Sequence, residues 1–169
     1  MSSESSSSNA GGSRKTIYLI VGFVLSSIAL ACTGILAAIA IPNFVAMQYR
    51  AKRSEVPVNI DGIRTQLLSR KASGKPFVAC GSEAGAKAII EQHGAKEKHP
   101  FNAAGKACWT QLGWSPGSDI RGEYWVVVTN GGKNFKVNGI SDVDGDGQFA
   151  RYEATKQNEA VQITDRDVF

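Results

Sequence analysis

Hydrophobic and polar residues divide the chain into three parts. Residues 16–41 form a run of 26 positions without a charged side chain. At about 1.5 Å per residue, a helix of this length extends about 39 Å. The hydrocarbon core of a bilayer is about 30 Å thick, so such a helix spans it. The pattern predicts a Ser/Gly-rich tail at residues 1–15, which we expect to be disordered and cytoplasmic, a transmembrane helix at 16–41 and one polar domain at 42–169.

The helical pattern continues into the polar domain as far as about Lys71. Ile60, Ile63 and Leu67 are three and four residues apart, which is typical of one buried helix face. Pro57 lacks the N–H that a helix interior needs, so we expect a kink between Ser54 and Pro57. A short helix is predicted at 82–92, with Ser82 as its N-cap.

The last third of the chain has the alternation and turn residues of an antiparallel meander. Strands are predicted at 123–129, 135–140, 148–155 and 161–163, with an Asn-Gly-containing turn between the first two. A long helix followed by strands is the order expected for an α+β fold, in which a small antiparallel sheet packs against the helix.

The charge distribution argues against one function class, nucleic-acid binding, but it does not determine the orientation in the membrane. The net charge is +4 and the pI is about 9.0, yet Lys and Arg are scattered, and no basic run interleaves with aromatic residues. We therefore expect no nucleic-acid partner. Arg14 and Lys15 before the span are opposed by Arg50, Lys52 and Arg53 beyond it, so the positive-inside rule alone does not orient the chain.

Two of the three cysteines, Cys80 and Cys108, lie in the polar domain and bracket its least regular stretch. A disulfide between them would close a loop and fit an oxidising compartment. Cys80, His93, His99 and Cys108 also form a possible zinc set, although their spacing lacks the close ligand pairs of common zinc modules. Free thiols are the third alternative.

An acidic segment between the second and third strands matches the pattern D-x-D-x-D-G-x5-E. Alternating oxygen ligands suit a hard cation, and the glycine permits a sharp turn. The predicted calcium ligands are Asp142, Asp144, Asp146, Gln148 (through its carbonyl) and Glu153. The flanking segments lack helical periodicity, so we expect a calcium loop in a hairpin and not an EF-hand. The alternative is a Gly-rich hairpin turn without an ion.

Four aromatic residues, Trp109, Trp114, Tyr124 and Trp125, come close together in sequence. They form either a ligand-binding surface or, as is more common, the core beside a small sheet. The sequence shows no nucleophile with a base and an orienting group, and no phosphate-binding loop. We therefore expect no enzymatic activity.

The junction between the apolar run and the polar domain reads GILAAIAIPNF, followed by AKRSE at 51–55. This sequence resembles the amino-terminal helix of type IV pilins, especially of myxobacterial type, over residues 34–55. The resemblance implies a pilin-like fold, a bacterial inner-membrane protein with an extracytoplasmic carboxyl domain, and contacts with the lipid bilayer and with other pilin or pseudopilin subunits. It also implies work in filament assembly, adhesion or motility. The anchor and assembly residues that it implies are Gly34, Ile35, Leu36, Ala37, Ala38, Ile39, Ala40, Ile41, Pro42 and Phe44.

The chain departs from the pilin pattern at the leader. Counting back from GILAA, the peptidase-site Gly and Phe and the nearby Glu of prepilins fall on Ile20, Val21 and Leu25. If the chain is instead aligned so that Gly22 and Phe23 match the peptidase site, the last residues of the leader, 17–21, are apolar and not basic. In this alignment the position of the Glu is occupied by Ser27. We therefore expect an unprocessed, minor component of a type IV pilus or a type II secretion pseudopilus. The alternative is a membrane-tethered binding module that uses a pilin fold outside any filament.

Overall fold

The computed structural model describes residues 10–94, 96–101 and 106–169, and it confirms the predicted α+β class. In chain order, the elements are the helices α1 (Ala10–Arg53), α2 (Glu55–Ala72), α3 (Glu83–His93) and α4 (Lys106–Leu112), then the strands β1 (Gly122–Thr129), β2 (Asn134–Ser141), β3 (Ala150–Thr155) and β4 (Val161–Gln162).

Two compact units make up the chain, residues 1–45 and residues 46–169. We call the second unit the head. The predicted boundary at 41/42 lies four residues before this division. Helix α1 begins at Ala10, which is earlier than the predicted start of the span, and residues 1–9 of the predicted tail lie outside the described residues.

Helix α1 carries the predicted anchor, and from Lys15 onward the chain forms a helix long and apolar enough to cross a membrane. Residues 34–44 lie within α1, which continues through Pro42. Their large apolar side chains are exposed, including those of Ile35, Leu36 and Phe44. A helix apolar on all sides is typical of a membrane span or of the core of a large protein.

The predicted kink corresponds to an interruption at Ser54, between α1 and α2. Pro57 has no N–H to donate to the carbonyl of Arg53, four residues earlier, so one helical hydrogen bond is missing there. Helix α2 then runs to Ala72, one residue beyond the predicted end. Its predicted buried face is confirmed: Ile60, Ile63 and Leu67 are inaccessible to solvent.

The four strands form one antiparallel sheet in the order β1-β2-β3-β4, as the meander pattern predicts. Strand β3 begins at Ala150 and not at Gln148. Gln148 belongs to the preceding loop, where its backbone N–H donates to Asp146 Oδ1 at 2.7 Å.

Helices cover both faces of this sheet. The buried face of α2 packs with Tyr124 and Val126 of β1 in the larger core, whereas α3 packs with Trp125 and Ile140 on the opposite face. Helix α3 begins as predicted, because the Ser82 hydroxyl accepts the Gly85 N–H at 3.1 Å.

Helix α2 approaches the sheet most closely over two glycines. A Cβ at Gly139 would lie 2.8 Å from Ile60 Cδ1, and one at Gly122 would lie 2.7 Å from Val56 Cγ2. Atoms this close overlap, so any larger side chain at these positions would push the helix away from the sheet.

Candidate metal site

The hairpin loop between β2 and β3 brings three predicted ligands together. One carboxylate oxygen from each of Asp142, Asp144 and Asp146 lies within 4.8 Å of the others. Asp142 is buried, Asp144 is half-buried and Asp146 is exposed, so the cluster runs from the interior of the head to its surface. Three carboxylates this close repel one another unless a proton or a cation compensates their charge.

Asp142 organises the backbone of the loop. Its Oδ1 accepts the N–H of Gly145 at 2.7 Å, and its Oδ2 accepts the N–H of Gly147 at 3.0 Å. Both glycines have positive φ, 71° and 83°, a conformation that L side chains rarely adopt. Asp142 therefore has a structural role in the loop as well as a position in the acidic cluster.

Asp144 is the carboxylate with unmet bonding capacity. Its Oδ1 is buried and makes no hydrogen bond with the described groups. Burial raises the pKa of Asp144, and a hydrogen bond with the Asp142 side chain and the negative charges of Asp146 and Asp142 raise it further. A hydrogen bond between two carboxyl groups requires a shared proton. A divalent cation would supply the same compensation and occupy the orphaned oxygen, so these residues fit a hard cation.

Of the two remaining predicted ligands, Glu153 is engaged elsewhere, whereas Gln148, predicted to ligate through its backbone carbonyl, lies beside the cluster. The Gln148 side-chain amide donates to Asp146 Oδ2 at 3.1 Å. Glu153 lies on β3 opposite Asn138, and its Oε2 binds Lys136 Nζ at 2.9 Å. In a helical EF-hand the last position of the loop turns back toward the ion, whereas here it is in a strand. The structure therefore supports three side-chain ligands and not the full motif.

Lys96 also lies at this loop, which sequence analysis did not predict. Its Cε is 2.6 Å from where a Cβ at Gly145 would stand, so the aliphatic stem crosses the loop at a residue without a side chain. Lys96 is 46 residues before Asp142, and no periodic pattern links the two. Its ammonium makes no ion pair with a described carboxylate.

The carboxyl-terminal segment contacts the same loop. The Val143 N–H donates to the Phe169 carbonyl at 3.2 Å. Arg53 donates to the carbonyls of Arg166 and Val168, and its guanidinium lies 4.8 Å from the Phe169 ring. The end of the chain therefore links the acidic loop to the last turn of α1.

The predicted cysteine partners are neighbours in the head. Cys80 is buried beside β1, where it forms an isolated bridge with Val126, and Cys108 lies on α4. Both are thiols in this structure. Burial raises the pKa of the Cys80 thiol, and a hydrogen bond with Cys108 raises it further. The two side chains are close, and their disulfide stays a prediction.

The alternative zinc set is not assembled. Among the described residues, the three aspartates are the one group of His, Cys, Asp or Glu side chains that converges on a common point. The ring of His93 stacks on that of His99, with centroids 5.1 Å apart. His99 Nε2 instead binds Glu123 Oε1 at 2.8 Å.

The pair His99–Glu123 is buried, with both side chains only 3% exposed. His99 Nδ1 has no hydrogen-bond partner among the described groups. This pair joins the segment before α4 to strand β1, and the His99 backbone also forms a bridge with Ile120, two residues before that strand. Glu123 reads from sequence as an ordinary strand residue, so nothing in the pattern indicated its burial.

The four aromatics predicted as core or ligand surface are core. Trp109, Tyr124 and Trp125 are buried, and Trp114 packs against the larger core. Trp114 contacts the Trp109 ring at 5.4 Å and the Tyr124 ring at 5.6 Å. Trp125 lies on the opposite sheet face, against α3. The set therefore does not form one shared surface.

Comparison of the chain with models of known protein families, with curated proteins and with solved structures found no match. The resemblance to pilins therefore stays an expectation, which depends on the residues quoted from positions 34–55 and on the order of the elements.

Proposed function

We propose that this chain is a type IV pilin-like, single-pass protein of the bacterial inner membrane, with its head outside the cytoplasm. It serves as a minor, unprocessed assembly component of a type IV pilus or a type II secretion pseudopilus. The observation that carries the proposal is the contrast along the helical part of the chain. Helix α1 exposes its apolar side chains, whereas helix α2 buries its apolar face against the four-stranded antiparallel sheet.

A second candidate is a membrane-tethered binding module outside any filament. The observation that favours it is the replacement of the prepilin cleavage and pairing residues by Ile20, Val21 and Leu25. In pilins, the missing carboxylate is thought to pair with a neighbouring subunit's amino terminus, a charge pair that an apolar bundle tolerates only when it is compensated. A tether needs neither cleavage nor this pair.

Mass spectrometry of the membrane-purified chain separates the two candidates. An intact amino terminus together with recovery in purified filaments supports the unprocessed assembly component. An intact terminus without filament recovery supports the tether, and a mature end near Phe23 overturns the proposal that the chain is unprocessed. The same intact masses test for a disulfide, because one internal disulfide gives a gain of two hydrogens on reduction, and peptide masses then show whether it joins Cys80 to Cys108.

We further propose that the Asp142–Asp146 loop binds calcium and that the ion orders the head. The support is the convergence of three carboxylates and the orphaned Oδ1 of Asp144. Carboxylate oxygens are the ligands that Ca²⁺ prefers, and water molecules can complete its shell of six to eight oxygens. In the absence of the ion, the charge repulsion in this loop opposes folding.

The calcium proposal is tested by titrating the full-length chain in detergent with calcium chloride. We expect saturable binding in the calorimeter at up to millimolar calcium, with a rise in the melting temperature, since a ligand that binds only the folded state stabilises it. Asp144→Asn should abolish both effects. Glu159→Gln is the control, because this carboxylate is exposed in the turn between β3 and β4, at the opposite end of β3 from the acidic loop, and the variant should bind as the wild type does.

Glu153→Gln sharpens this test. Because Glu153 pairs with Lys136 in strand β3, we expect its substitution to leave calcium affinity within about twofold of wild type, a change of about 0.4 kcal/mol. A loss of binding as large as that of Asp144→Asn would show that Glu153 turns toward the ion. The absence of any calcium binding in the wild type would make the segment a turn.

A further inference from the structure

An open pocket of about 190 Å³ lies between the end of α2 and the end of α4, on the head but away from the acidic loop in sequence. Polar side chains form most of its wall, and a single apolar residue, Leu112, contributes. The polar lining residues are Gln66, Ser69, Arg70, Ser73, Lys75 and Gln111.

The chain segments that line this pocket carry positive charge only. Residues 62–82 and 98–118 contain Lys and Arg but no Asp or Glu. Two of the cations, Arg70 and Lys75, line the pocket itself. The Lys75 ammonium makes no ion pair with the described carboxylates. A concave surface with cations and no anion concentrates negative ligands.

Arg70 is held in place by backbone carbonyls. Its Nε donates to the Pro76 carbonyl at 2.8 Å, and its Nη1 donates to the Gln111 carbonyl at 2.9 Å. Its Nη2 makes no hydrogen bond with the described residues. A guanidinium fixed in this way loses little side-chain entropy when a further acceptor binds, which favours recognition of a planar or tetrahedral oxyanion.

The carboxyl end of helix α2 has a partial negative charge that opposes anion binding, and hydrogen bonds to its last carbonyls weaken this effect. These carbonyls are capped: Ser69 O accepts the Ser73 N–H, Lys71 O accepts the Gly74 N–H, and Arg70 O accepts the Lys75 N–H. The donors in the pocket are therefore the Arg70 and Lys75 cations, with the Ser69 hydroxyl and glutamine amides beside them, since the Ser73 hydroxyl donates to the Ser69 carbonyl.

We propose that this pocket is a binding site for a small oxyanion group, a carboxylate or a sulfate, held by Arg70 and Lys75. The site is separate from the acidic loop, and it does not depend on whether the chain enters a filament. The competing explanation is that Arg70 only caps the end of α4 through the Gln111 carbonyl. Lys75 distinguishes the two, because its side chain has no such structural partner among the described residues.

The test is an NMR titration of the full-length chain in detergent micelles with sodium sulfate and, separately, with sodium acetate, at an ionic strength kept constant with sodium chloride. The backbone amides of Ser73, Lys75 and Gln111 report on the pocket. We expect saturable shifts there with at least one of the two anions. Lys75→Gln should weaken the affinity by about threefold to fivefold, as expected for the loss of one exposed charge pair.

Lys133→Gln is the matched control, because it removes one positive charge from the exposed β1–β2 turn. It should leave the affinity unchanged. The proposal is overturned if neither anion gives saturable shifts at the pocket amides, if Lys75→Gln binds as tightly as wild type, or if Lys133→Gln weakens binding equally. The last result would indicate a general effect of net charge and no site.

Discussion

Helices α1 and α2 are separated by a single residue, Ser54, yet their apolar side chains meet opposite environments. In α1, Phe23 and Leu30 are each 74% exposed, whereas in α2 Val56 and Ile60 are 0% exposed. The sequences of the two helices already differ in the distribution of charged and apolar residues. The span in α1 has no charged residue, whereas α2 has apolar residues on one face and polar residues on the other positions.

This difference shows what each helix needs in order to be stable. Burial of one large apolar side chain contributes about 1.5–3 kcal/mol, and α2 obtains this from the sheet. The large apolar side chains of α1 from Ile17 to Phe44 are exposed, so they obtain no such contribution from the described residues. Exposed apolar surface of this kind is typical of contact with a membrane or with another protein. The head therefore carries its own core, whereas the apolar part of α1 does not.

The strongest test of this difference is to make the same substitution, Ile→Ala, once in each helix. Ile60→Ala removes a side chain that is fully buried against the sheet, and we expect it to lower the free energy of unfolding of the head by about 2–5 kcal/mol. Ile35→Ala, the same change at an exposed position of α1, should alter it by less than about 0.5 kcal/mol. Urea unfolding in detergent, followed by tryptophan fluorescence, measures both.

All three tryptophans, Trp109, Trp114 and Trp125, lie in the head, so this signal reports on the head alone. Equal losses for the two variants would mean that α1 contributes to the core of the head, and the comparison would fail.

The next largest effect is expected where α2 comes closest to the sheet. In Gly139→Ala, the new methyl group would stand 2.8 Å from Ile60 Cδ1, and we expect a loss of about 1–3 kcal/mol from overpacking. Gly117→Ala is the control, since nothing lies within 4 Å of that position and its φ is not positive.

A double variant assigns the clash to Ile60. Ile60→Val removes the Cδ1 atom, so adding it to Gly139→Ala should recover part of the loss. Strict additivity of the two single substitutions in the same urea experiment would show that Ile60 Cδ1 is not the atom that the new methyl group meets.

Local patterns in the sequence were sufficient to predict the α+β class, although not helix α4. The spacing of Ile60, Ile63 and Leu67 predicted the buried face of α2, and the stretch rich in β-branched and aromatic residues at 123–129 predicted a strand. The same patterns could not show that Trp125 faces α3, because strand alternation gives two faces without saying what covers each. That assignment depends on contacts between residues far apart in sequence.

The candidate metal site was predicted only in part, and for a physical reason. Asp142, Asp144 and Asp146 are close because they share one tight loop, so their spacing predicts their proximity. Glu153 was included because the motif assumes a helix after the loop, whereas the chain continues as strand β3. Lys96 and Phe169 reach the loop from distant positions in the chain, so no local pattern indicates them.

The smallest effect is expected where a helix meets the sheet through charges. Glu83 of α3 binds Arg151 of β3 at 2.7 Å and Lys87 at 3.0 Å. Its hydrogen bonds with Arg151 and Lys87 lower the pKa of Glu83 from 4.5 to about 2. A lowered pKa means that the folded state holds the charged form more tightly. The resulting stabilisation is therefore complete above about pH 4.5 and is lost as the pH falls toward 2.

Because the Glu83 side chain is 43% exposed, solvent screens these pairs, and we expect Glu83→Gln to cost no more than about 1 kcal/mol at pH 7. The difference from wild type should shrink between pH 4.5 and 2 in urea unfolding experiments at fixed ionic strength. Glu91→Gln, on the same helix but without an ion pair to a described residue, should show no such dependence. A Glu83→Gln loss as large as that of Ile60→Ala would contradict the conclusion that apolar burial, and not charge pairing, holds the helices on this sheet.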